Sequence, residues 1–530
     1  MVHLLKLQRK TEMKIKSNSI KSIALLAGLF VATSCDKDFQ EVNTNPNDPE
    51  SVPTALLLPT IIRNPVNEVA GLAWGYGNVV MQYSAKIQFT SEDRYLWGPQ
   101  GDPYGTFYNA MRDVNNIIIL SEEAGQPQYI GIAKIMRSWM YSFMTDAYGD
   151  IPYSEATSAK EGTNLPVFDT QESVYQGVLA ELAEANTILA SATGSVSGDI
   201  LFGGDLMKWR KFANSLRLRI YMRLSDRNDP SSGMQAILGN LEANPIFESN
   251  DDNVALEYLS DAPNQQPQYT NRSGSFDEYR LSVNMETILK DLNDPRLFVY
   301  AQPTNDSGAG VVGSHADYAG VPNGLADAQA LAYSPSGDPE KVGSNFISRI
   351  GLMFACRACN PDRASPTAAE AMLMSYAELQ FILAEARERG FISTGTAEAY
   401  YLNGINASFE YYLERLAVGN YSEIIEVASP DAAYFAQADV AYTGTTAEKL
   451  QKIGTQKWVA LFFNGMEAWF DWRRTGIPTI TPGPGAVQPT VPVRFMYPGD
   501  AQALNADNYK AAVARQGTDA ITTRVWWDVN

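Results

Sequence analysis

The chain has 530 residues and a formal net charge of −19, from 41 basic and 60 acidic side chains. Hydrophobic residues make up 45% of it and aromatic residues 11%, so it can bury a large core and is not a disordered chain. The acidic balance argues against nucleic acid as a partner, because a negative surface repels the phosphate backbone.

The N-terminus predicts a lipoprotein signal peptide over residues 1–34. Six basic residues precede the apolar run 23–31, which is too short to cross a bilayer. Small residues at 32–34 stand directly before Cys35, the arrangement of a cleavage site whose cysteine is then acylated. Ordinary cleavage beside an unrelated cysteine is the alternative, and Met13 is a second candidate start. Loss of the segment, which carries +5, leaves a mature charge of −24.

Residues 35–53 are predicted to form the lipid anchor and a linker. Their Asn, Pro and Asp content favours an extended conformation, and they show no apolar period. The folded domain is then expected over residues 54–530.

Apolar residues at steps of three and four predict a mainly α-helical domain. Asp169, Thr367 and Thr445 each have a Glu three residues later, which is typical of a helix N-cap. Paired helices of this length indicate tetratricopeptide-like stacking. The helices are predicted at 107–123, 130–148, 169–190, 206–224, 367–390, 396–413 and 445–474.

Residues 226–366 form a predicted irregular insertion. Gly, Pro, Asn and Asp dominate it, helical periods are short, and tyrosines recur. Long irregular segments inside a compact domain usually carry function. The Gly308–Gly313 run inside it resembles a dinucleotide fingerprint by letter, but no strand precedes it, so we interpret it as a flexible loop.

Several segments in order resemble the SusD/RagB family of outer-membrane nutrient-binding lipoproteins, in its SusD-like branch. The resemblance is clearest in DAYGDIPYSEA (146–156), which spans the end of a predicted helix at Gly149 and a predicted packed turn over 150–156. The other segments are CDKDFQEVNTNPNDP, SYAELQFILAEARERG, QKWVALFFNGMEAWFDWRRTG, PVRFMYP and TRVWWD.

The resemblance implies both an architecture and a role. It implies the tetratricopeptide-like helical scaffold with the irregular region contributing to ligand binding. It also implies a protein lipid-anchored to the outer membrane, and the acidic residues after Cys35 resemble the family's tag for export to the cell surface. Family members bind a glycan, or sometimes a peptide, and pass it to a SusC-like TonB-dependent transporter.

Residue usage argues against most enzyme classes. His3 lies in the signal segment and His315 stands alone, so Ser-His-Asp, Cys-His and multi-histidine metal chemistry are nearly excluded. We therefore predict no catalysis and no cofactor. A glycoside hydrolase that uses two carboxylates remains an alternative, as does a helical scaffold that binds only protein.

Cys356 and Cys359 form a lone C-x-x-C pair. A structural zinc site needs a second pair, and no strand-helix context of a redox motif surrounds this one. A local disulfide or two reduced loop thiols are the remaining interpretations.

Aromatic residues in polar, glycine-rich settings are the predicted ligand-binding residues. A sugar ring stacks on an aromatic plane while its hydroxyls need polar side chains at the edge, and the loop from Arg94 to Tyr104 offers both. Burial of these rings in the core is the alternative. Sugar is favoured over peptide because no strand edge or deep pocket is evident. The candidates are Trp74, Tyr76, Arg94, Tyr95, Trp97, Asp102, Tyr104, Tyr269, Tyr279 and Tyr318.

Two charged pairs are interpreted as structural. Asp146 and Asp150 flank a helix C-terminus, where the helix dipole disfavours acids, so we expect hydrogen bonding within the turn, with a calcium ion or a donor from Tyr153 as alternatives. Arg473 and Arg474 lie in a predicted last helical turn, where basic residues are expected.

Overall fold

The computed structural model describes residues 53–334 and 346–529. Residues from Thr54 onward form one compact unit. The predicted signal peptide, Cys35 and the linker up to residue 52 lie outside the described residues.

Helices of eight or more residues provide the framework of the described part. We number them in chain order. They are α1 Thr54–Leu72, α2 Asp102–Glu123, α3 Pro127–Tyr148, α4 Gln171–Ser191, α5 Leu206–Arg223, α6 Ser231–Leu238, α7 Val283–Asp291, α8 Tyr376–Glu388, α9 Ala397–Val418, α10 Thr446–Ala460, α11 Gly465–Thr475 and α12 Ala506–Gln516. Shorter α-helical turns lie at Asn78–Val80, Ser273–Asp277, Leu297–Tyr300, Asp327–Ala330, Ser422–Ile425, Ala432–Ala436 and Gly499–Leu504.

Four short strands form two antiparallel pairs. β1 (Ser84–Lys86) pairs with β3 (Tyr279–Leu281), with Ser84 opposite Leu281. β2 (Val254–Leu256) pairs with β4 (Ala371–Met374). Both pairs join distant parts of the chain, so they fix the irregular segments to the helical framework.

The long helices pack mostly against their neighbours in sequence. α1 packs on α2, and α2, α3, α4 and α5 then pack each on the next. In the second half, α8 packs on α9 and α10 and also reaches α5. This arrangement confirms the predicted mainly helical fold of stacked pairs. No helix among the described residues is both long and apolar enough to cross a membrane.

Helix α3 lies at the centre of the core. Its side chains at Ile132, Ile135, Met136 and Trp139 are buried, as the apolar spacing predicts. Gly149 ends the helix with a φ of 87°, a backbone conformation that glycine adopts without the steric cost of a Cβ. A tightly packed helix therefore leads directly into the turn 149–156.

Helix starts agree only in part with the sequence prediction. Thr445 and Glu448 form the expected capping box of α10. The helix predicted from residue 169 is instead capped by Thr170, because Asp169 accepts hydrogen bonds from the backbone of Tyr153 and Ser154. An acidic residue before a helix can thus accept hydrogen bonds from another segment of the fold instead of capping the helix.

The helix predicted over 367–390 begins nine residues later. Residues Ala371–Met374 form β4, which pairs with a strand more than a hundred residues earlier in the chain. The cap is Ser375, whose hydroxyl accepts from Glu378 N at 3.1 Å. The prediction of Thr367 as N-cap was wrong because the strand partner could not be inferred locally.

The single helix predicted over 445–474 was also wrong, because the chain breaks between α10 and α11. Phe463 lies in the break with a φ of 68°. Gly465 then approaches the backbone of Gly77 and Asn78 so closely that a Cβ would lie 2.4 Å from it. The break therefore allows α11 to pack directly on the segment that follows α1.

Candidate functional site

Asp146, in the last turn of α3, and Asp150, in the turn 149–156, are both bound by other elements. The Asp146 carboxylate accepts from the Tyr175 hydroxyl at 2.5 Å and lies 3.6 Å from Arg223. The Asp150 carboxylate accepts from Gln171 N at 3.0 Å and Arg515 Nε at 2.9 Å. Compensation therefore comes from tertiary contacts, which corrects the expected bonding within the turn.

Arg473 and Arg474 are both buried and act inside the fold. Arg473 donates to the backbone oxygens of Asp146 and Val493, so it holds the end of α3 against the C-terminal part of the chain. Arg474 donates to both carboxylate oxygens of Glu385. These contacts explain the pair without a ligand.

Trp97 is a core residue in this structure. Its side chain is only 6% exposed, and the indole packs edge-on against Tyr76, Trp469 and Phe495. Its Nε1 donates to the Glu92 backbone oxygen at 2.9 Å. Since no ring face is free, the expected stacking role of Trp97 does not fit, and we reassign it to packing.

Asp102 and Tyr104 lie on a helix and not in a loop. They form the first turn of α2, which begins five residues before its predicted start, with Pro103 at an early position that suits proline. The Asp102 side chain is exposed at the positive end of the helix dipole. Tyr104 is half-buried between Tyr108 and Tyr148.

The remaining candidates of the N-terminal part are used for packing to different degrees. Trp74 is buried and contacts Phe276, Tyr279 and Phe463. Tyr76 is half-buried, and its hydroxyl accepts from Gln100 at 3.2 Å. Trp74 therefore offers no free face, whereas Tyr76 keeps a partly open edge.

Arg94 and Tyr95 hold the loop between β1 and α2 in place. Arg94 Nε donates to the Gly485 backbone oxygen at 2.8 Å. Tyr95 is buried with a φ of 62°. Both residues shape the loop, and only Arg94 is partly exposed.

The three candidate tyrosines of the irregular insertion also differ in how far they are exposed. Tyr279 and Tyr318 are buried, the second against Phe298. Tyr269 is partly exposed. Of the three predicted insertion tyrosines, it alone is available for contact with a ligand.

Phe89 is an exposed aromatic ring that the sequence reasoning missed. Its side chain is 69% exposed and its φ is 50°, an uncommon conformation for a residue with a bulky side chain. The next residue fixes the turn, because Thr90 donates from both its backbone N and its hydroxyl to one Asp327 oxygen, at 2.9 and 2.8 Å. Strained backbone that the surroundings hold in place is a recognised mark of functional segments. The only sequence signal was an apolar residue within a polar run.

The buried Asp93 carboxylate holds residues 86–96 in place, the segment that carries Phe89 and that we call the Phe89 loop. Asp93 accepts from Lys86 N at 3.1 Å and from Asn323 Nδ2 at 2.8 Å. Burial raises the pKa of Asp93 to about 6, although these hydrogen bonds oppose the rise. The loop is therefore joined both to β1 and to the insertion.

Lys86 links the Phe89 loop to the segment around β3. Its ammonium lies 2.7 Å from Glu92 and 3.7 Å from Glu278. The backbone of Ile87 also donates to Glu278 O at 2.9 Å. The candidate site for a ligand is the surface built from residues 86–96 and 269–279, which we call the ligand face.

Cys356 and Cys359 form a disulfide beside the ligand face. This bond is one of the two states left open by the sequence. Arg357, between the two cysteines, donates its backbone N–H to Tyr269 O at 2.9 Å. The disulfide therefore stabilises the loop 356–359, which contacts Tyr269, a candidate ligand-binding residue.

A groove lies between α1 and α2, apart from the ligand face. This groove of about 470 Å³ is lined by polar side chains, among them Asn64, Asn67, Glu68 and Asp113. Burial raises the pKa of Glu68, and the nearby Asp102 carboxylate adds to the rise. The groove contains no aromatic ring, so it lacks the flat surface on which a sugar stacks.

Comparison with known proteins identifies the family. Residues 46–498 match the SusD-like family described as starch-binding and associating with the outer membrane. The match covers most of the chain, and the chain therefore belongs to the SusD-like family. Curated protein sequences give no significant match.

Two solved structures illustrate the similarity. A SusD homolog from Bacteroides fragilis has 29% sequence identity and a TM-score of 0.74, covering 90% of this chain and 99% of its own. A chitin-binding SusD homolog from Flavobacterium johnsoniae has 26% identity and a TM-score of 0.68, covering 89% and 99%. SusD-like proteins are binding proteins of the outer membrane, which agrees with the predicted class and fold.

Proposed function

We propose that this protein is a cell-surface lipoprotein that binds an oligosaccharide at the ligand face and delivers it to a SusC-like TonB-dependent transporter. The observation that carries the proposal is the exposed Phe89 ring on a fixed turn, within a chain of a starch-binding family. A ring that stacks on a sugar must be both accessible and held in place, and Phe89 meets both requirements.

Polar groups around the ring suit the hydroxyls of a sugar. Gln88, Glu92 and Arg94 are partly exposed on the same loop. Their side chains provide donors and acceptors at the edge of an apolar surface, the combination that a carbohydrate requires. We propose Phe89 as the main stacking ring and retain Tyr76, Tyr104 and Tyr269 as secondary contacts.

Calorimetry against a panel of neutral and acidic oligosaccharides tests the binding role. Phe89→Ala is expected to weaken binding by about 1–3 kcal/mol, the range of aromatic anchors. Leu504→Ala is the matched control, because Leu504 is 73% exposed and does not belong to the ligand face. Equal loss in both variants, or wild-type affinity in Phe89→Ala, would place the ligand elsewhere.

The lipid anchor is tested at Cys35, which lies outside the described residues. Cys35→Ala should release the protein from the membrane fraction and abolish its labelling by a fatty-acid analogue. Retention of the variant in the membrane with the wild type would contradict the anchor. Protease access on whole cells tests the surface location.

The transporter partnership predicts recovery of a large outer-membrane barrel with a tagged copy in mild detergent. We expect the rigid helical face to provide most of this contact, since the stacked helices offer an extended surface. Absence of any barrel would contradict the partnership but not the binding role.

The same proposal includes the absence of catalysis. Oligosaccharides that bind should be recovered uncut after long incubation, as judged by chromatography of the products. Turnover that a single acidic substitution abolishes would instead support the hydrolase alternative.

A further inference from the structure

Two exposed arginines lie on the backbone segments next to the partly exposed Tyr269. Arg357 joins it through the backbone hydrogen bond to Tyr269 O, and Arg272 follows it by three residues. Within the described part of the chain, neither guanidinium has an ion pair or a side-chain hydrogen bond. Both positive groups are therefore available to a ligand at this edge of the ligand face.

The local charge is opposite to that of the chain. Residues 269–280 and 349–357 contain four arginines and only two carboxylates, whereas the whole chain carries −19. Arg280 and Arg349 share the Asp277 carboxylate, each at 2.8 Å. The other carboxylate, Glu278, lies near Lys86. The charge of Arg272 also acts on Glu278, where it opposes the rise in pKa that burial causes. Even so, Lys86 and the four arginines outnumber Glu92, Asp277 and Glu278 by five to three, so this patch carries net positive charge.

The backbone that carries these arginines is fixed at several points. Arg357 lies inside the ring closed by the Cys356–Cys359 disulfide. The two segments also meet at a second point, because Gln266 N, three residues before Tyr269, donates to Pro366 O, nine residues after Arg357, at 3.1 Å. A ligand would have to order only the arginine side chains and not the loop, which lowers the entropic cost of binding.

Guanidinium groups distinguish between ligand classes. A planar guanidinium forms paired hydrogen bonds with a carboxylate or a sulfate, whereas a neutral sugar offers only hydroxyls. Binding a neutral chain over the two arginines would remove water from their charges without supplying a counter-charge. Two exposed arginines without an ion pair, on segments next to a partly exposed tyrosine, therefore favour an anionic sugar.

We propose, building on the oligosaccharide role above, that the ligand is an acidic oligosaccharide whose carboxylate or sulfate groups bind Arg272 and Arg357 while a sugar ring packs on Tyr269. Carboxylate and sulfate share this recognition chemistry. The experiment below separates the two sources.

Three probes distinguish the charge of the ligand: oligosaccharides of polygalacturonate, which carry carboxylates, of κ-carrageenan, which carry sulfates, and of neutral galactan. The proposal expects one acidic probe to bind at least about tenfold more tightly than the neutral one. Methyl esterification of the polygalacturonate probe should abolish its advantage if carboxylate is the group recognised. Raising the salt concentration should weaken the acidic interaction, because the arginines are exposed.

Variants test the two arginines directly. Arg272→Ala and Arg357→Ala should each lower affinity for the preferred acidic probe by about tenfold, with little change for the neutral one. Arg357→Lys should retain part of the affinity, since it keeps the charge but loses the paired geometry. Arg112→Ala is the matched control, because Arg112 is an exposed arginine on α2.

The outcomes separate this inference from the proposed function. Equal binding of neutral and acidic probes, or unchanged affinity in both alanine variants, overturns the acidic ligand and leaves oligosaccharide binding intact. No binding of any glycan overturns both. Preference for an acidic peptide over every glycan also overturns this inference, because the arginines would then serve a different ligand class.

Discussion

Arg474 donates two parallel hydrogen bonds to Glu385, with Nη1–Oε1 and Nη2–Oε2 distances of 2.6 and 2.7 Å. Both side chains are buried. Burial alone would raise the pKa of Glu385, but the charge and hydrogen bonds of Arg474 hold it below its ordinary value. The pair joins two of the segments that carry the family resemblance, so segments almost ninety residues apart depend on each other.

Breaking this pair should destabilise the fold strongly. Arg474→Met is expected to lower the free energy of unfolding by about 3–5 kcal/mol, because it removes the two-bond partner of the buried Glu385, which then keeps only Arg389 at 2.9 Å, and one of the partners of Asp471. Adding Glu385→Leu should restore part of the loss, since the buried carboxylate that lost its main partner is then also removed. Chemical denaturation of the single and double variants measures both effects.

An exposed ion pair provides the control for that experiment. Arg363 and Glu423 make a similar two-bond contact at the surface, at 3.0 and 3.2 Å. Arg363→Met should cost less than about 1 kcal/mol, because water already screens the exposed charges. A comparable loss in both arginine variants would contradict the importance of burial.

The contact between Gly465 and Gly77 gives a second test. Gly465→Ala would place a Cβ about 2.4 Å from backbone atoms of Gly77 and Asn78, so α11 would have to shift. We expect a loss of about 3 kcal/mol or more in stability. Gly71→Ala is the control, because no neighbouring atom lies within 4 Å of its added Cβ and alanine favours the helix. Thermal unfolding that ranks Gly71→Ala below Gly465→Ala would contradict the close approach.

The sequence predicted the long helices well and their interruptions poorly. An amphipathic helix such as α3 shows its buried face in the local spacing of apolar residues. The strand β4 and the break before Gly465 depend instead on partners far away in the chain, at β2 and Gly77. The local spacing of residues does not show such partners. The predictions were therefore wrong where tertiary contacts override local helix preference.

Exposure of the aromatic rings at the candidate site also depends on residues far away in the chain. Trp97 has a polar, glycine-rich sequence setting, yet remote rings at Trp469 and Phe495 cover it. Phe89 is exposed because Asp327 fixes the turn beside it. Whether an aromatic ring is covered depends on residues hundreds of positions away, which one sequence does not reveal. The sequence pointed to this loop through Trp97, whereas the structure exposes Phe89 on it, and where the ligand binds stays a prediction.

The buried Asp93 predicts a pH effect on stability. Its pKa rises from the ordinary value of 3.8 to about 6 in the folded protein, chiefly through burial. Between these values the folded chain keeps a proton that the unfolded chain has lost, so this group's contribution to stability falls as pH rises from 4 to 6. Above pH 6 the Asp93 carboxylate is charged in both states, and its burial then lowers the free energy of unfolding by about 3 kcal/mol.

Asp93→Asn removes this titration and allows it to be measured. The free energy of unfolding of the variant, relative to the wild type, should increase by up to about 3 kcal/mol between pH 4 and pH 7. Comparing the two proteins at each pH cancels the other titrating groups that they share. A difference that stays constant over this range would show that Asp93 titrates normally.

Trp97 and Phe89 provide the sharpest contrast between packing and binding. Trp97→Ala should lower the free energy of unfolding by about 3–5 kcal/mol, because it removes a buried ring that packs on four others. Phe89→Ala should change stability by no more than about 0.5 kcal/mol, since the ring is mostly exposed. Ligand affinity should show the opposite order, with the larger loss in Phe89→Ala.

Denaturation and calorimetry on both variants therefore test the site and the core together. The comparison uses a temperature well below the melting transition of Trp97→Ala, so that affinity is measured on folded protein. If Trp97→Ala were as stable as the wild type and lost affinity, the indole would have to become exposed to ligand, contrary to the packing against Tyr76 and Phe495. If the expected order holds, the ligand contacts the rim of the loop and Trp97 supports it from the core.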